Sequence, residues 1–100
     1  MFKIDCDNKM TITKGDKAFL NFRCANYKLK EGDNVILIVR KEERTIFEKS
    51  TGEFTEKGYA TIEIDSEDSN VNIDVYDYVI RVITKEGIDE TVINSTLNVI

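Results

Sequence analysis

The sequence contains no histidine, no proline and no tryptophan, and it has two cysteines and five glycines in 100 residues. Each shortage excludes something. Without histidine the commonest general base is missing, and so is the Ser-His-Asp triad. Without tryptophan a sugar-stacking platform loses its strongest side chain. Two cysteines, Cys6 and Cys24, do not make a disulfide framework. With no imidazole beside them, they fall short of a tetrahedral zinc shell. Free cysteine behaves as a small buried hydrophobe, and that is the expectation for this pair, with a Cys6–Cys24 disulfide as the alternative.

Basic side chains are also short. Fourteen Lys and Arg stand against 19 Asp and Glu, a net charge of -5. Phosphate backbones need clustered Lys and Arg, so nucleic acid is not an expected partner, and anionic membrane surfaces are disfavoured likewise. The longest apolar run, Val35 to Val39, is the size of a strand and not of a membrane span. Met1-Phe2-Lys3-Ile4-Asp5 is no secretory signal. The chain is expected to fold in a cytosol, unless a signal has been removed from it. Proline normally protects sheet edges, so here charges must do so: Lys17, Arg23, Lys28, Lys30, Arg40 and Lys41 are the candidates. An edge left open accepts another chain.

What is present is period-two alternation punctuated by turns. Two Gly-Asp turns each launch a strand. Lys14-Gly15-Asp16 runs into Ala18-Phe19-Leu20-Asn21-Phe22, and Glu31-Gly32-Asp33 runs into Val35-Ile36-Leu37-Ile38-Val39. Ala18, Leu20, Phe22 and Cys24 form one inward set, and Val35, Leu37 and Val39 form another. Ile36 and Ile38 are apolar as well, which predicts a central strand covered on both faces. Met10 and Ile12 alternate. Thr45 to Lys49 reads as a short strand after the charged turn Lys41 to Arg44. Tyr59 to Asp65 carries Ala60, Ile62 and Ile64 inward.

Asp65 to Asn70 is a polar loop able to cap one helical turn. Tyr76 to Ile83 is a long strand, Lys85 to Asp89 a hairpin turn, and Glu90 to Val99 a closing strand with a bulge near Asn94. About seven strands with turns every ten residues or so predict an all-β, Ig-like two-sheet antiparallel sandwich spanning residues 1–100 as one domain. Tyr78 stands at the spacing of a tyrosine corner.

Chemistry is sparse. Acid pairs such as Asp5 with Asp7, or Asp74 with Asp77, sit on turns, where they are normally solvated. Nothing matches a phosphate-binding loop or a dinucleotide fingerprint. The chain is therefore expected to be no enzyme and to carry no cofactor. Asp65, Glu67 and Asp68, with Asp5 and Asp7, are the best oxygen ligands for calcium, but the spacing is not that of an EF-hand and the solvated loop is preferred. Exposed apolar residues suggest an interface in preference to a sugar platform. The candidate interface residues are Phe19, Phe47, Ile36, Ile38 and Tyr76.

One resemblance covers nearly the whole chain. The motifs Ile12-Thr13-Lys14-Gly15-Asp16, Leu29-Lys30-Glu31-Gly32-Asp33-Asn34-Val35, Tyr78-Val79-Ile80-Arg81-Val82 and Thr96-Leu97-Asn98-Val99 follow one another in order. This resembles the N-terminal β-sandwich domain of baseplate upper proteins, and related head-fibre and tail-appendage modules, of phages and prophages of Gram-positive bacteria. The chain departs from that pattern in lacking the usual glycine before its tyrosine strand, where Val75 and Tyr76 stand. The resemblance implies a virion component made in the bacterial host cytoplasm. Its partners would be other phage structural proteins or further copies of itself, and members often continue into a C-terminal fibre or receptor-binding region. A bacterial surface Ig-like adhesion or carbohydrate-binding module is the alternative.

Overall fold

Alternating apolar residues fold here into eight strands that share one core. A computed structural model describes residues 1–100. The strands are β1 (Phe2–Ile4), β2 (Met10–Ile12), β3 (Ala18–Phe22), β4 (Asn34–Lys41), β5 (Arg44–Thr51), β6 (Ala60–Ile64), β7 (Asp74–Ile83) and β8 (Asp89–Val99). One short helix, α1 (Ser66–Ser69), lies between β6 and β7. The larger sheet runs β1-β2-β8-β7-β4-β5, and β3 pairs with β6 in a second sheet. All pairings are antiparallel except β2 with β8, which is parallel. No helix is long and apolar enough to cross a membrane.

The inward sets form the core as expected. Ala18, Leu20 and Phe22 of β3 and Ala60, Ile62 and Ile64 of β6 pack against Val35, Leu37, Val39, Tyr76, Tyr78, Ile80 and Val82 of the larger sheet. Burying one such aliphatic side chain is worth about 1.5–3 kcal/mol, and this shared core is what holds the two sheets together. Asp65 caps α1 in a reciprocal box with Asp68, as the polar loop predicted. Ser69, at the other end of α1, is buried and its hydroxyl donates to the Asp16 carbonyl at 2.6 Å. That bond ties the helix to the first Gly-Asp turn.

Several expectations are corrected. There are eight strands, because β1, Phe2-Lys3-Ile4, is too short for its alternation to stand out and only Phe2 packs on the core. Strand β4 does lie between β5 and β7, but the second sheet covers only one of its faces. Ile38 is buried yet stands outside the core cluster. Strand β5 is longer than read. Strand β8 is continuous, and its bulge leaves Val92 unpaired between Ile93 and Thr91, not a residue near Asn94. The local upstream bond expected of Tyr78 is made by Tyr76, whose hydroxyl donates to the Asn72 carbonyl four residues upstream at 2.5 Å. The Tyr78 hydroxyl instead donates to the distant Asn8 carbonyl. Both cysteines are free; Cys24 is half-buried, while Cys6 is exposed and does not act as a buried hydrophobe.

The β4–β5 connection is a two-residue turn, Glu42-Glu43, with φ of 50° and 69°. Both residues stand in the left-handed region that a type I′ hairpin turn demands, which Asn-Gly fills best. A side chain pays roughly 1–2 kcal/mol for that conformation. The edge β5 carries Arg44, Glu48 and Lys49, whereas Arg40 and Lys41, expected to guard an edge, lie on the interior strand β4.

Candidate functional site

The second Gly-Asp turn does more than start a strand. Asp33 is buried, and its carboxylate accepts three hydrogen bonds. The Lys30 N–H and the Tyr27 hydroxyl donate to Oδ2 at 3.0 and 2.9 Å. The Lys85 N–H donates to Oδ1 at 2.8 Å. Lys30 and Tyr27 belong to the β3–β4 segment and Lys85 to the β7–β8 hairpin, so one carboxylate joins two loops. Burial alone would raise the Asp33 pKa, but the three donors outweigh it and hold the carboxyl below its ordinary value. The same bond to Asp33, followed by desolvation, pushes the Tyr27 hydroxyl up.

Glycine permits the close approach. Gly32 has φ +98°, and a Cβ there would meet the Lys85 side chain at 2.8–3.0 Å. Gly58, at φ +82°, brings the β5–β6 loop against Lys28 and Leu29, where a Cβ would lie 3.0 Å from the Leu29 nitrogen. Three loops are thus seated together at one end of the sheets.

Between the β3–β4 segment and the β7–β8 hairpin lies a cleft of about 670 Å³, within the size range of ligand sites. Apolar residues dominate its lining, among them Phe22, Cys24, Val82, Ile88, Val92 and Ile93. Ile88 and Val92 are exposed. Glu86 and Glu90 line it as well. The Cys24 thiol, half-buried in this cleft, is pushed up, first by desolvation and then by the negative charge of Glu90 and Asp33. A second hollow of about 450 Å³, beside the Glu42-Glu43 turn, is mostly polar in lining.

The residues expected to form an interface do not gather in one place. Ile36 and Ile38 lie together on the outer face of the larger sheet, with Val79 paired to Ile38. Phe19 is 57% exposed, but it stands on the outer face of the smaller sheet. Phe47 is paired with Val39, faces inward and packs on the core, so Phe19 and Phe47 share no patch. Tyr76 is a core residue, 4% exposed, and is withdrawn as a surface position. In the acidic loop, the Lys49 ammonium lies 3.0 Å from Asp65 and 2.8 Å from Asp68, where a cation would sit. Nowhere do three or more metal-binding side chains converge. The cleft escaped the sequence reading because two segments far apart in the chain build it. Its one signal was Asp33, read only as a turn residue.

No protein-family model, curated protein or solved structure matches this chain.

Proposed function

We propose that this chain is a non-catalytic interaction module with an Ig-like sandwich fold, serving by protein–protein contact as a structural part of a phage or prophage particle. The strand order supports the Ig-like reading. Strands β8, β7, β4 and β5 take the places of the G, F, C and C′ strands, and β3 and β6 those of B and E. The Tyr76 bond to Asn72 is the corner contact such sandwiches carry before the core of strand F. The particle setting rests on the resemblance in turn and strand wording alone. A sequence without histidine supports the non-catalytic part.

One observation carries the reading of contact by assembly. Ile36, Ile38, Val79 and Ile83 share the outer face of the larger sheet with Asn34 and Arg81; Ile38 is buried and the other three apolar side chains are half-buried, where an antiparallel sheet facing water alternates to polar residues. Apolar residues gathered on the outer face of a sheet in this way mark protein interfaces. Light scattering across a concentration series tests it. A closed trimer or larger ring supports an appendage component. A monomer at every concentration removes self-assembly and moves weight to docking on another protein.

The second reading is a surface adhesion or sugar-binding module. It is favoured by Phe19 and Tyr59, both exposed on the outer side of the smaller sheet, with Lys17 lying 5.5 Å from the Phe19 ring centre and Arg23 5.8 Å from that of Tyr59. Glycan binding lost in Phe19→Ala establishes it; a glycan array without binding removes it.

A further inference from the structure

Glu90 occupies an unusual place. It pairs with Val82, whose side chain is buried in the core. Glu90 therefore stands on the inner register of the sheet, at the end where the two sheets part and the cleft opens. No ion pair engages it. Arg23 is the one cation in the cleft lining, and it lies over the Tyr59 ring. Glu86 has only Lys30 at 3.8 Å, with both side chains more than half exposed, a pair worth little in water. Against these acids lie the exposed apolar side chains of Ile88 and Val92 and the half-buried Ile93. The lining thus combines an apolar majority with two acids, the composition from which interface cores and polar rims are made.

The walls are fixed before anything binds. Asp33 joins them through Lys30 and Lys85, and Gly32 lets them close on each other. A preformed cleft spares an incoming segment the cost of ordering it.

We propose that this cleft docks a segment of another protein that carries an apolar anchor flanked by lysine or arginine. The apolar anchor displaces water from Val92, Ile93 and Cys24. The flanking cations meet Glu86 and Glu90, and the net charge of -5 steers a basic segment toward the chain. The inference is independent of assembly through the outer sheet face, since neither surface includes residues of the other.

The test uses the whole chain, labelled with nitrogen-15, and two six-residue peptides. One alternates leucine with lysine and the other leucine with glutamate. The basic peptide is expected to shift the amides of Cys24, Ile88, Glu90 and Val92 to saturation, and the acidic one to leave them in place. Glu90→Gln is expected to weaken the basic peptide about tenfold with an unchanged melting temperature. Four results overturn the proposal: no shifts at about 1 mM peptide, equal binding of both peptides, shifts scattered over the acidic surface, or Glu90→Gln binding as tightly as the parent. Shifts confined to Ile36, Ile38 and Val79 assign the contact to the outer face and overturn it too. A monomeric parent protein, which defeats self-assembly, leaves this outcome unaffected.

Discussion

Asp33 accepts from three donors in two loops, so its removal leaves three part-buried donors without their partner. Asp33→Ala is expected to cost about 3 kcal/mol, because each of the three hydrogen bonds lost is worth about 1 kcal/mol. Urea denaturation measures the cost, and faster amide exchange at Lys85 and Lys30 locates it. The pH dependence has a definite sign. A carboxyl held below its ordinary pKa stabilises the fold above about pH 4, and this contribution is lost as pH falls through the lowered value. Tyr78 acts at the opposite end of the scale. Desolvation, and secondarily the charge of Asp5, push its hydroxyl up to about 12. Its neutral form favours the fold below the ordinary tyrosine value of 10.0, and that advantage fades between there and about 12. Tyr78→Phe loses the bond to Asn8, about 1 kcal/mol near neutrality. The deficit is expected to vanish near pH 11, when unfolding midpoints of parent and variant are compared there and near pH 8. A constant deficit across that range would refute the assignment.

The β4–β5 hairpin breaks a local rule, since two glutamates hold left-handed backbone where Asn-Gly fits best. Replacing both, Glu42→Asn with Glu43→Gly, is expected to stabilise the chain by about 1–2 kcal/mol, read as a melting temperature higher by roughly 5 °C. A drop instead would show that the glutamate side chains form contacts the turn needs. Other elements were legible to different degrees. Strands β3 and β6 follow from alternation alone, because one face of each is core and the other is water. Residues 65–69 follow from capping chemistry. The bulges do not, because an unpaired residue is fixed by the partner strand: Ile46 is skipped opposite Val39 and Arg40, and Val92 opposite Ile80 and Arg81. Tyr76 and Tyr78 share an inward register two residues apart, and only a loop carbonyl outside the strand decides which of them makes the local bond. The cleft was least legible, since its walls are 52 residues apart at the Asp33–Lys85 contact.

At the scale of the whole molecule, surface area bears on assembly. A monomeric protein of 11.5 kDa is expected to expose about 5,800 Å². This chain exposes 6366 Å², about a tenth more, while its radius of gyration of 13.3 Å is that of a compact chain of its length. The surplus is therefore relief on a compact body, and a stable interface removes about 800 Å² from each partner. The apolar residues of the outer face supply the centre such an interface needs. Ile36 is half-buried there, opposite Arg81, whose guanidinium also holds Asp89, and a carboxylate at this position has no core to disturb. Ile36→Glu is therefore expected to keep the melting temperature within about 2 °C while lowering the light-scattering mass at about 100 μM from that of a closed oligomer to 11.5 kDa. A parent protein already at the monomer mass would sink self-assembly through this face, and an oligomeric variant would place the contact elsewhere.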